Sequence, residues 1–338
     1  MSSSPEKNAV KSSSGSKSKF VVIISCAILI LLFQMSSLEQ MMTSNFLNTD
    51  NAATALQHSS TGSRRRRKLG DGCYHVFLDV GSNIGIHARF LYEPERYPDS
   101  LSSRAAFARE FGSPPRDNRD YCVFSFEPNP KFEKRHYDLE RAYAAMGWRY
   151  TPIIAGASDA DGNFTFYHSA FEKEEWETGF SAVTPKTLYG NDATPKTVPI
   201  IRLATWIREE IGGREIPTTR YSEEYSDPKV VMKLDIEGLE FKVFPDLLTT
   251  GALCNNIHYL MGEFHHGPGN HNYFPINLTS DGTHILNHRK EGEKLAHQLL
   301  HLVDITENCM TKISLEDDES YLNDPHDFPK SNQTAIPS

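Results

Sequence analysis

The sequence has no closely spaced cysteine pair, no GxGxxG turn, no surplus of positive charge and no apolar run of full bilayer length. Each absence closes a class. Without a CxxC pattern there is no zinc-ribbon or thioredoxin-type redox motif. Lysine and arginine number 35 against 44 acidic residues, a net charge of -9. No basic face extends along the chain, so a protein built to coat nucleic acid is excluded. The one dense basic run is Arg64 to Lys68. What remains is enough for a core: hydrophobic residues make up 38% and aromatics 11% of the 338 residues. With both ends polar, roughly 250 residues are left for one α/β domain.

Cys26 lies in the apolar N-terminal run, while Cys73, Cys122, Cys254 and Cys309 are widely spaced. Two readings stay open for these four. One is one or two disulfides in an oxidising compartment, and the other is a set of small buried residues. Phe20 to Phe33 (FVVIISCAILILLF) is uncharged and follows Lys7, Lys11, Lys17 and Lys19. It is shorter than the roughly 20 residues that cross an average bilayer. Extended to Met35, it suits a thin early-secretory membrane. The lysines place the N-terminus in the cytoplasm and the bulk of the chain across the membrane.

The expected organisation is a cytoplasmic tail (1–19), a transmembrane signal anchor (20–35), a flexible stem (36–70), a folded domain (71–322) and a flexible C-terminal tail (323–338). This describes a single-pass type II membrane protein of the Golgi or endoplasmic reticulum with its domain in the lumen. A cleaved signal peptide is the competing reading, because the apolar length also suits an h-region. The run at Arg64 reads either as a solvated patch or as a site for a basic-specific protease. Sequons at Asn163, Asn277 and Asn332 are compatible with a lumenal glycoprotein.

From Val76 the pattern alternates between strands and helices. Val76–Val80, Cys122–Phe126, Trp148–Ala155, Val230–Leu234 and Ile257–Gly262 read as buried parallel strands. Helical spacing follows at Ile86, at Lys131–Met146, Ile201–Ile211, Glu240–Leu248 and Glu291–Leu300. Asn163–His168 reads as an added strand and Ser169–Thr197 as a covering loop. His301–Ile305 and Lys312–Leu315 are expected to close the sheet as an antiparallel pair. The predicted architecture is a doubly wound, mostly parallel, seven-stranded Rossmann-like sheet.

Acids stand at the ends of four strands: Asp79, Glu127, Asp235 and Glu263. Ligands of such sheets bind beyond those ends. The first turn, Asp79-x-Gly81-x-x-x-Gly85, lacks the pyrophosphate cradle of a dinucleotide site. S-adenosylmethionine has no phosphate. Its ammonium suits an acid beside the glycine turn, and Glu127 is placed to accept both ribose hydroxyls. DVGSNIG (Asp79–Gly85), FEPNP (Phe126–Pro130), GASDADG (Gly156–Gly162) and KLDIEGLE (Lys233–Glu240) occur in the order seen in FkbM-type methyltransferases, which this chain resembles from about Phe77 to His265. The resemblance implies that Gly81, Asn83 and Gly85 surround the methionine part, Glu127 the ribose, and Ser158 and Asp159 the adenine edge. It also implies O-methylation of a sugar or small molecule. Asp79 and Glu127 stand 48 apart, more than the roughly 20 residues usual in such folds. An insertion from Tyr92 to Asp120 accounts for the excess.

An acceptor hydroxyl needs positioning and a base. The candidates are Asp235, Glu237 and His265. Asp235, Glu263 and His265 could also bind a divalent cation, although nothing in their spacing demands one. Two other functions compete. Asp159-Ala160-Asp161 has the DxD form of a metal-dependent lumenal glycosyltransferase. A non-catalytic module would keep the fold without the chemistry.

Overall fold

Aromatic and β-branched runs build the central sheet. β1 (His75–Val80), β2 (Tyr121–Phe126) and β3 (Arg149–Ile153) form one half. β7 (Val230–Leu234), β8 (Tyr259–Gly262) and β9 (Lys312–Leu315) form the other. The strand order is β3-β2-β1-β7-β8-β9, and every neighbouring pair is parallel. The computed structural model describes residues 65–168, 194–217, 227–265, 288–315, 324 and 327–329. From Arg67 onward these belong to one compact unit.

Strands covered on both faces need apolar residues on both. Along β1, Val76, Leu78 and Val80 join one buried layer while Phe77 joins the other. The second layer is closed by α1 (Ile86–Tyr92), α2 (Leu101–Phe111) and α3 (Glu133–Ala144). The first is closed by α5 (Glu240–Thr249), α6 (Ala252–Asn256) and α7 (His288–Ile305). A smaller sheet, β4 (Gly156–Ser158), β5 (Gly162–His168) and β6 (Thr194–Arg202), packs on that same layer. Its order is β4-β6-β5. β6 runs into α4 (Leu203–Trp206) and a π-helical turn, Ile207–Ile211.

The structure corrects the expected closure of the sheet. The main sheet has six strands among the described residues, not seven. β9 runs parallel to β8, with Tyr259 opposite Lys312. His301–Ile305 is the last turn of α7, not a strand. The reason is periodic: Ala296, Leu299 and Val303 are all buried, and that three-to-four spacing extends the helix. The expected flexible C-terminal tail is tied down at Asp324 and at 327–329, where Arg89 bonds the Asp324 carboxylate and the Asp327 carbonyl. No described helix is long and apolar enough to cross a membrane. Phe20–Met35, most of the expected covering loop (169–193), and the sequons at Asn277 and Asn332 lie outside the described residues. Asn163, on β5, is exposed.

Two disulfides are formed, Cys73–Cys122 and Cys254–Cys309. The first joins the entry of β1 to β2. The second joins α6 to the approach of β9 across 55 residues of chain. Closing a loop of that length restricts the unfolded state by about 4 kcal/mol in the chain-entropy treatment. Replacing Cys254 and Cys309 by serine is therefore expected to lower the denaturation midpoint in urea by an amount equivalent to about 4 kcal/mol. A midpoint within error of the wild type would show that the bridge contributes nothing.

Candidate active site

The strand order reverses between β1 and β7, so a crevice opens beyond their C-terminal ends. A cleft lies there. Gly81 and Asn83 reach it from β1, Glu127 and Pro128 from β2, and Asp235 and Glu237 from β7. Phe132, Gly156, Ala157 and Phe166 supply apolar wall.

The glycine turn is dictated by crowding. Gly81 has φ +80, and a Cβ there would meet the Asp235 carbonyl oxygen at 1.6 Å. Only glycine lets the turns after β1 and β7 touch. Asn83 also sits in the left-handed region, with φ 50. Its backbone is held at both ends. The N–H donates to Glu127 Oε2 (2.8 Å), and the carbonyl accepts from His136 Nε2 (2.8 Å). Its side-chain Oδ1 is buried with no hydrogen-bond partner among the described residues, on the lining of the cleft. His136 bonds Tyr150 through Nδ1, and burial lowers its pKa to about 4, so it is neutral.

Glu127 is 6% exposed. Its second oxygen, Oε1, accepts the Asn129 N–H at 2.7 Å. Burial raises its pKa to about 8, against the pull of these two amides and of Lys233. A carboxylate has about four acceptor sites, so two remain beyond the backbone bonds. Asp79 does not line the cleft. It lies fully buried behind the turn, with neither oxygen in a hydrogen bond of normal geometry among the described residues, and burial raises its pKa to about 7 against the pull of Lys233 and the Ala88 amide. The His87 ring is 4.0 Å away. Gly85, at φ +77, caps α1 against Leu139 and Tyr150 and is likewise behind the cleft surface.

The acids after β7 and β8 meet around His265. Glu240, fully buried at the start of α5, accepts the backbone N–H groups of Ile236 and Gly238 and bonds His265 Nδ1 at 2.9 Å. Glu263 lies 2.9 Å from His265 Nε2, with Asp235 and Glu237 each at 3.7 Å. Burial works against a charge on His265, but Glu240, Glu263 and Glu237 outweigh it and raise its pKa well above the usual value. The ring is therefore an imidazolium that holds the carboxylates together, and it has no free lone pair to act as a base. Asp235, Glu263 and His265 bring one donor atom each within 4.8 Å of one another. A cation there would have to displace the ring proton.

Asp235 and Glu237 differ in charge state. Burial raises both. For Asp235, however, Lys233 Nζ at 2.6 Å, aided by His265, brings the pKa below the usual carboxylate range. For Glu237, burial outweighs the pull of His265 and raises the pKa to about 8. Glu237 also holds φ 55, a left-handed conformation rarely adopted by a side-chain-bearing residue.

Ser158 and Asp159 do not line the cleft; Gly156 and Ala157 do. The Ser158 hydroxyl donates to Asp159, which is exposed. Asp161 accepts the Arg202 backbone N–H at 2.8 Å. Of the two acids of the DxD triplet, Asp159 thus bonds its neighbour Ser158 and Asp161 ties the turn to the end of β6. Sequence reasoning missed Glu240, Arg135 and His136. A signal for His136 was present: it shares one helical stripe with Leu139 and Tyr143, all three buried.

A parallel sheet with a cleft at its switch point, a glycine turn without a phosphate cradle and a buried acid one strand over define a Rossmann-like α/β protein. The chain belongs to the family of the methyltransferase FkbM domain, whose model matches residues 79–288. No curated protein and no solved structure matches it significantly.

Proposed function

We propose that the chain is an S-adenosylmethionine-dependent O-methyltransferase acting on a glycan or small-molecule hydroxyl. The observation that carries this reading is Glu127. It is a buried carboxylate fixed by two backbone amides, with acceptor sites left at the mouth of the glycine turn. The donor supplies a sulfonium-activated methyl group. Glu127 would hold its ribose hydroxyls, while Asn83 Oδ1 and Gly81 meet the methionine part. Pro128, Phe132, Ala157 and Phe166 would take the adenine, whose edge the family resemblance assigns to Ser158 and Asp159. Asp79 and Gly85 shape the turn from behind.

Glu237 is the best-placed base. With its pKa raised to about 8 Glu237 must first ionise, and its ionised form, which gains population as pH rises toward 8, accepts a hydroxyl proton more readily than an ordinary carboxylate. Asp235, ionised by Lys233, orients the acceptor. His265 holds Glu237 and Glu263 in place. A lumenal, membrane-anchored setting accords with the apolar run Phe20–Phe33 and with two formed disulfides.

Incubating the full chain with methyl-labelled S-adenosylmethionine and a panel of neutral oligosaccharides tests the reading. Label transferred to a hydroxyl supports it. Calorimetry that detects no donor binding ends it, and donor binding with no transfer to any acceptor would favour a non-catalytic module. A pH dependence follows from Glu127. Its ionised form accepts the ribose hydroxyls, yet below pH 8 the empty site holds it protonated. Donor affinity should therefore rise as pH increases from about 6 to 7.5, by up to about tenfold per unit. In Glu127→Gln the same range should be flat. A flat wild-type profile would mean that Glu127 does not ionise on binding.

A further inference from the structure

We infer that the C-terminal segment at Asp324 is a positioning element for the donor-binding turn, acting through Arg135. Asp324 is 189 residues beyond Arg135, and its carboxylate is fully buried. Oδ2 accepts from Arg135 (2.6 Å), and Oδ1 accepts from Arg89 (2.7 Å) and the Tyr97 hydroxyl (2.6 Å). Arg135 Nε in turn donates to the Ile84 carbonyl at 2.7 Å. One guanidinium therefore links the chain's C-terminal segment to the Ile84–Gly85 peptide bond, one residue beyond Asn83. Phe328 lies against the same guanidinium, 5.6 Å away, and packs on the second buried layer.

The turn needs such a brace. Asn83 occupies a left-handed conformation that persists only when its surroundings over-determine it. Glu127 fixes its N–H and His136 its carbonyl. The next carbonyl, that of Ile84, is fixed by Arg135. Arginine suits the task because its planar fork makes both bonds in set directions, and a lysine ammonium has no such geometry. That the braced turn holds the donor rests on the function proposed above.

Two measurements on the full chain test the inference, using Arg135→Met, Arg135→Lys, Asp324→Asn and a control, Val303→Ala. Val303 is buried in the other layer, away from the turn. The first measurement is S-adenosylmethionine affinity by calorimetry. Arg135→Met is expected to weaken it about tenfold and Asp324→Asn severalfold, with Arg135→Lys falling between wild type and Arg135→Met. Val303→Ala should bind as wild type despite a lowered melting temperature. The second is hydrogen exchange of the Gly85 amide without ligand; that amide bonds the Ser82 carbonyl at 2.7 Å. Exchange should quicken at least about tenfold in Arg135→Met and not in Val303→Ala. Wild-type affinity together with wild-type exchange in Arg135→Met overturns the inference. So does an equal change in the control at equal loss of stability. If the wild type binds no donor, the proposed function fails, and exchange at Gly85 alone decides whether Arg135 positions the turn.

Discussion

Glu127→Ala is expected to weaken S-adenosylmethionine binding by about 10²–10³-fold, the largest functional loss of any single change in the cleft. Hydrogen bonds to a charged group are worth about 1.5–3 kcal/mol each, and two to the ribose would be lost. The substitution also leaves the amides of Asn83 and Asn129 without their acceptor, so the turn itself loosens. Glu127→Gln separates the two effects. Its single carbonyl oxygen can satisfy one amide, while its NH₂ meets the other amide donor to donor. Binding should fall between alanine and wild type. Titration calorimetry reads both variants, and an alanine variant that keeps wild-type affinity removes Glu127 from the donor site.

The largest loss of stability should come from Arg89. This guanidinium is fully buried, two turns from the glycine bend. It bonds both oxygens of Glu93, one oxygen of Asp324 and the Asp327 carbonyl. Arg89→Met fills similar volume but leaves those carboxylates buried with fewer partners. Removing one member of a buried ion pair costs about 3–5 kcal/mol. In a domain of this size each kcal/mol moves the melting temperature by roughly 2–4 °C. The variant should therefore melt roughly 6–20 °C lower. Adding Asp324→Asn to Arg89→Met should cost less than the sum of the single changes, because one stranded charge disappears. Additive losses would show that the two residues are not coupled.

The sequence made the strands and the strand-end acids legible for physical reasons. A strand covered on both faces must be apolar throughout, so VFLDV, CVFSF and VVMKL stand out. The acids follow because ligands meet such sheets at the strand ends. Other features left no local trace. β6 carries Pro195 and Pro199, which read as loop, yet Val198 and Ile200 alternate inward. The turn after β3 reads by its polar residues Ser158 and Asp159, whereas the cleft is lined by the two small residues before them, Gly156 and Ala157, which carry no polar signal. His265 looked like a base from its ordinary pKa, but the buried Glu240 that keeps it protonated is visible only in three dimensions. The Arg89–Asp324–Arg135 cluster joins residues far apart in the chain that share no spacing pattern.

The central sheet is joined across its middle by a single strand pair, β1 with β7. Everything proposed to grip the donor hangs on one side of that seam, and everything proposed to handle the acceptor's proton hangs on the other. On the proposed function, side chains on the β7–β9 side would select the molecule that receives the methyl group, while the β1–β3 side holds its source. One donor half would in that case be compatible with different acceptors.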